Sequence, residues 1–119
     1  MDKRHEKRTE TVQNLFAYTF RLDVGNLPFP SPLSLDIIEN IPLIDKTITS
    51  LAIKFPIDKI AKMDLSILRL AVYELMIKPT EPKKVIINEA IELAKELGGE
   101  KSYSFINGVL GTLIKHDEK

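Results

Sequence analysis

The chain has 119 residues, of which 44% are hydrophobic and 29% charged, with a formal net charge of zero and no cysteine. That length suits a single domain over residues 1–119, able to bury about two-thirds of its unfolded surface. Lack of cysteine excludes disulfides, thiolate metal sites and cysteine nucleophiles, and zero net charge leaves no global field to draw the chain to nucleic acid, so any such affinity must come from a local cluster.

No apolar run follows the first charged residues, so no signal peptide is expected and the cytoplasm is the default location. Residues 3–22 contain neither glycine nor proline and predict the first helix. Val12, Leu15, Phe16 and Thr19 share one face, with Leu22 at its edge. Asp2-Lys-Arg-His-Glu-Lys-Arg8 precedes that face, with Lys3, Arg4, Lys7 and Arg8 as firm positives against Asp2 and Glu6. Helical spacing sets Lys3, Lys7, Asn14 and Arg21 opposite the apolar face and Arg4 and Arg8 nearer its edge. The pattern fits either a solvated helix end or an arm that contacts phosphates.

A proline-rich connector follows over residues 23–33. Pro28, Pro30 and Pro32 fix φ and remove amide donors, which favours an extended loop. Ser34 is the expected N-cap of a short helix ending near Asn40. Pro42 suits the first turn of the next helix, which should run to about Lys54. Pro56 breaks the chain before a short turn, and Asp64 is the expected N-cap of a central helix over residues 64–78.

That helix is apolar nearly all round. Leu65, Leu68, Val72, Leu75 and Met76 make one face, and Ile67, Leu70, Ala71 and Ile77 cover most of the other side. Such a helix is buried on more than one face, and the core should be built on it. Arg69 stands within it and needs a carboxylate, for which Glu89 or Glu74 is the expected structural partner. Beyond a connector between Pro79 and Pro82, Val85–Leu97 forms a helix with Ile87, Ala90, Ile91, Ala94 and Leu97 on one side. Gly98-Gly99 suits a left-handed C-cap. Ser102 can cap the last helix, in which Phe105, Ile106, Val109, Leu110 and Leu113 form the buried arc. Gly108 and Gly111 lie on its other side, where close approach of a helix or a ligand would explain them. No strand is predicted, so the class is all-α.

Nothing in the sequence assembles a catalytic site. His5 and His116 are far apart and near the termini, no Gly-rich phosphate loop is present, and the serines have no histidine partner. No metal or other cofactor is expected, and the chain is read as a non-enzyme.

Residues 67–75 (Ile-Leu-Arg-Leu-Ala-Val-Tyr-Glu-Leu), Val85-Ile-Ile-Asn-Glu-Ala-Ile-Glu-Leu-Ala-Lys95, Gly99-Glu-Lys-Ser102 and Phe105-Ile-Asn-Gly-Val-Leu110 resemble the C-terminal half of the NusB family of bacterial transcription antitermination factors. Arg8-Thr-Glu-Thr-Val-Gln-Asn-Leu-Phe-Ala-Tyr18 resembles its first helix, and Ile57–Asp64 its lead-in to the central helix. The resemblance implies a compact helical bundle of six to seven helices in two small sub-bundles. It also implies binding of single-stranded boxA RNA from ribosomal RNA leaders, jointly with the ribosomal protein NusE, in a complex with elongating RNA polymerase. Carried over position by position, it implies RNA contacts at Lys3, Arg4, Lys7, Arg8, Phe16, Lys101 and Ser102, and partner contacts at Phe16 and Asp64.

Several departures lower the expected RNA affinity. The chain is shorter than typical members, with the deficit around the proline connector, so one helix should be shortened or lost. His5 and Glu6 stand where relatives often carry arginine, Leu65 follows Asp64 where arginine is common, and Phe16 lacks a tyrosine hydroxyl. Two alternatives therefore stay open. One is a protein-interaction module of the same fold with weak RNA binding, and the other an accessory RNA-binding domain like those of ribosomal RNA methyltransferases.

Overall fold

A computed structural model describes residues 2–21 and 23–117, with side chains through Lys115, so the expectations on Leu22 and His116 fall outside it. Six α-helices and no strand occur among the described residues: α1 (Lys3–Arg21), α2 (Pro32–Glu39), α3 (Ile41–Leu51), α4 (Lys62–Val72), α5 (Lys83–Leu97) and α6 (Ser102–Asp117). None is long and apolar enough to cross a membrane.

The all-round apolarity of α4 has the expected consequence. Every residue from Asp64 to Tyr73 is buried, because α4 packs against α1, α3, α5 and α6. Helices α1, α2 and α3 lie together on one side, while α5 and α6 pair on the other. The central helix thus belongs to both small bundles. Its Ile67 and Leu68 are fully enclosed, and cutting such a side chain to alanine costs about 2–5 kcal/mol.

The central helix does not run straight to residue 78. After Val72 it widens into a π-helical turn, Tyr73–Ile77, closed by the Lys78 N–H donating to the Tyr73 carbonyl at 3.0 Å. In this turn the Tyr73 hydroxyl donates to Asp36 of α2, while Glu74 accepts from Arg8 of α1. Burial first, and then the Asp36 hydrogen bond, push the Tyr73 hydroxyl up to about 12.

Several boundaries differ from expectation. Ser31, not Ser34, caps α2, its hydroxyl accepting from the Ser34 N–H at 3.1 Å, with Pro32 opening the helix. Ser34 is buried and its hydroxyl accepts instead from Asn14 Nδ2 at 2.8 Å. Asn14 itself is buried rather than solvated. Its amide donates to the Phe29 carbonyl at 2.7 Å and accepts from the Phe29 N–H at 2.7 Å, tying the proline connector to α1. Helix α3 stops at Leu51, short of Lys54. Helix α4 starts at Lys62 with Ala61 at its cap, which places Asp64 in the first turn. The buried face of α5 is Ile86, Ala90, Leu93 and Ala94. That face is turned about one position from the predicted one, because α5 has to meet both α4 and α6.

Candidate nucleic-acid interface

The basic residues at the start of α1 meet a set of carboxylates brought there by the π turn, the connector after it and α5. Arg8 is the centre of this group, with 8% of its side chain exposed. Its Nε donates to both Glu74 oxygens at 3.1 Å, its Nη1 to Glu89 at 3.2 Å, and its Nη2 to Glu81. Arg4 shares Glu81, donating from Nη1 at 2.7 Å, but stays 70% exposed. His5 lies between Glu89, 3.1 Å from Nδ1, and Glu96, 2.8 Å from Nε2.

Burial opposes the charge on Arg8, and the hydrogen bonds and charges of Glu74 and Glu81 outweigh it, so its pKa is raised. Burial also raises Glu74, against the pull of Arg8. The Glu96 hydrogen bond raises His5 above its ordinary 6.5, with Glu89 adding to it against an opposing burial effect. Arg8, expected to contact RNA, stands among three carboxylates, and these ion pairs join α1 to the C-terminal half.

A second locus lies where α4 begins and α5 hands over to α6. A cavity of about 470 Å³ opens there, walled by Phe55, Met63, Leu97 and Phe105, with Asp64, Lys59 and Lys101 also lining it. Phe55 and Phe105 meet edge to face at 5.2 Å. Asp64 is 8% exposed, and its Oδ1 is buried without a hydrogen-bond partner. Lys59 and Lys101 are exposed.

The cavity wall depends on Gly98. Its φ of −91° and ψ of −173° are extended, so the left-handed cap predicted from Gly98-Gly99 is not formed. Glycine is needed for space: a Cβ there would stand 2.5 Å from Ser102 Oγ and 2.7 Å from the Ala94 carbonyl. The Ser102 hydroxyl accepts from the Gly99 N–H at 2.8 Å, reaching back from the first residue of α6.

The model of the NusB family matches residues 2–115. The chain belongs to the NusB family. It is 37% identical to the transcription antitermination protein NusB of an Exiguobacterium species, over 97% of this chain and 99% of that protein. With NusB of Finegoldia magna it shares 42% identity over 82% of this chain and 71% of the relative. The structure of T. maritima NusB superposes with a TM-score of 0.80 at 30% identity, covering 96% of this chain and 92% of that one. A complex of the antitermination factors NusB and NusE with double-stranded RNA has the same fold at 21% identity, with a TM-score of 0.70 and coverage of 97% and 99%.

The positions carried over from the NusB resemblance divide between two places. Lys3, Arg4, Lys7 and Arg8 share the start of α1, with Lys3 and Lys7 exposed. Asp64, Lys101 and Ser102 are brought together around the cavity, where Ser102 is buried. Phe16 is half-buried further along α1, edge to face with Phe20 at 4.9 Å. Phe20 is 59% exposed and carries the Lys62 ammonium 5.4 Å from its ring centre. Sequence reasoning passed over Phe20, although an aromatic residue one turn beyond Phe16 was a usable signal. The expected Arg69 partners are also corrected. Arg69 pairs with Asp45 of α3, while Glu74 and Glu89 are held by Arg8, and Glu89 by His5 as well.

Proposed function

We propose that this chain is a cytoplasmic antitermination factor that binds single-stranded boxA-type RNA in ribosomal RNA leaders together with NusE, within a complex on elongating RNA polymerase. The observation that carries the reading is the family match over residues 2–115. Single-stranded RNA needs cations along its phosphates and flat surfaces for its bases. Exposed Lys3, Lys7, Lys62 and Lys101 supply the first, and Phe16 with Phe20 the second. Asp64 and Phe16 are assigned to the partner-facing surface.

The test is a boxA RNA titration with and without NusE across a salt series. Tight, salt-sensitive binding that Lys3→Ala, Lys7→Ala and Lys101→Ala each weaken supports the reading, with each lost phosphate contact flattening the salt slope by about 0.7. Binding to NusE with no response to RNA would sink it. That result would favour the second reading, a protein-interaction module, which the neutralisation of Arg8 by three carboxylates supports.

A further inference from the structure

Glu81 holds two cations, one on each oxygen, and the two pairs differ in kind. The connector sets this residue firmly: the proline at 82, which caps α5, restricts Glu81 to extended backbone. Its side chain is 13% exposed, with Oε2 taken by buried Arg8 and Oε1 accepting from Arg4 Nη1 at 2.7 Å. Arg8 has Glu74 and Glu89 as well and is enclosed with them. Arg4 is 70% exposed, and an ion pair that wet adds little to stability.

What the outer pair does is fix where a guanidinium points. Arg4 stands next to Lys3 and three residues before Lys7, so the three share one end of α1, and all are exposed. Released from Glu81, the guanidinium could join those lysines on a phosphate chain and make paired hydrogen bonds that an ammonium does not offer. Two carboxylates oppose that release, since Asp2 also lies 3.8 Å from Arg4 Nε. A polar cavity of about 310 Å³ opens beside the pair, lined by Asp2, Arg4, Arg8, Glu81 and Asn88 among others, and gives a phosphate access to the exchange.

We propose that Glu81 is a built-in competitor for RNA phosphate: its carboxylate holds Arg4 in the free protein, and RNA gains this arginine only by displacing it. The apparent affinity is then lowered by the fraction of chains whose Arg4 is turned away. The proposal rests on the RNA-binding reading above and names a residue that limits that affinity. Glu81 touches no RNA. It acts through Arg4.

The experiment is fluorescence anisotropy of the full chain with labelled boxA RNA across a salt series. The variants are Glu81→Gln, Arg4→Ala, the two combined, and Glu92→Gln, which removes an exposed α5 charge whose nearest cation is Lys95 at 4.0 Å. Glu81→Gln should bind about 2- to 5-fold tighter at low salt, the most an exposed ion pair can withhold. Its salt slope should steepen by about 0.7, the signature of one added phosphate contact. In the Arg4→Ala background the same change should alter affinity by less than about 1.5-fold, because the two residues act as a unit. Unchanged or weaker binding by Glu81→Gln overturns the competitor and leaves the RNA-binding reading standing. An equal gain in Glu92→Gln, or one that survives without Arg4, reduces the effect to general charge repulsion and overturns it too. Failure of all these chains and the parent to bind RNA overturns both readings. Should Glu81→Gln not fold, the Glu81 carboxyl carbon decides by NMR in the unaltered chain. Added RNA should shift it there and not in Arg4→Ala, and a carbon that stays in place in both overturns the proposal.

Discussion

The Arg69 guanidinium holds the Asp45 carboxylate with two parallel hydrogen bonds, Nε to Oδ1 at 2.9 Å and Nη2 to Oδ2 at 2.8 Å. The pair joins α4 to α3, and Nη1 reaches the Thr19 hydroxyl of α1 at 3.4 Å. Side-chain exposures of 9% and 21% place the pair largely out of water. Asp45→Ala leaves a buried guanidinium unpaired and should destabilise the fold by about 3 kcal/mol, whereas Arg69→Met combined with Asp45→Leu should recover most of that loss. Urea unfolding of the two single variants and the double variant measures both. A double variant no better than Asp45→Ala would show that the pair adds more than a charge needing a partner.

His5 ties the start of α1 to α5 through Glu89 and Glu96. Its folded-state pKa lies above 6.5. The imidazolium therefore binds its proton more tightly folded than unfolded, and the stability it contributes is fully present below pH 6.5. That contribution is lost as pH rises through the folded-state value. NMR titration of the ring protons should give a midpoint above 6.5, and Glu96→Gln should move it down. Melting temperatures taken from pH 6 to pH 8 should fall more in the parent chain than in His5→Gln.

How much of this was readable beforehand follows from the physics of each signal. The burial of α4 was legible because a helix without a polar face has only one stable placement, and α6 showed its period directly. Residue types that demand a partner were legible too: Arg69 required a carboxylate. Which carboxylate it took was not, since Asp45 reaches it only through the packing of α3 on α4. The rotation of α5 sets Glu89 and Glu96 beside α1, and no local spacing reports that rotation. Asn14 looked solvated on the helical wheel because the wheel omits the connector that folds back over α1. The π turn at Tyr73–Ile77 has no propensity signal and is fixed by what Tyr73 and Glu74 must reach. At the candidate site, the α1 lysines were legible as exposed charge, whereas the cavity around Asp64 exists only once three separated segments meet.

Arg8 and Lys7 are neighbours in sequence with opposite expected phenotypes. Arg8→Ala removes the cation that Glu74, Glu81 and Glu89 share and should cost about 3 kcal/mol or more, the scale for breaking a buried pair. Arg8→Lys should recover little, because an ammonium cannot present the guanidinium fork to three acids at once. Lys7→Ala should leave the urea midpoint nearly unchanged and lower only the salt slope of RNA binding, by about 0.7. Denaturation and salt-dependent titration of the same variants separate the two roles. An Arg8→Ala chain of full stability would keep this arginine in the RNA-contacting set.

Gly98 and Gly108 make a matched test of why the C-terminal half keeps its glycines. A methyl group at Gly98 would meet Ser102 Oγ at 2.5 Å, Ser102 Cβ at 2.6 Å and the Ala94 carbonyl at 2.7 Å. Two of those contacts are with rigid atoms, so the loop or the start of α6 must shift, and Gly98→Ala should destabilise by about 1–3 kcal/mol as overpacking does. Gly108 is exposed within α6, and a Cβ there has nothing within 4 Å. The close helix approach expected of Gly108 and Gly111 is absent among the described residues, since Gly111 has the same free space. Gly108→Ala should therefore stabilise the chain by about 0.5–1 kcal/mol through helix propensity and reduced unfolded-state entropy. Thermal melts of the two variants should move in opposite directions. If Gly108→Ala raised stability as expected but weakened RNA or NusE binding, the open side of α6 would be a surface kept flat for a partner.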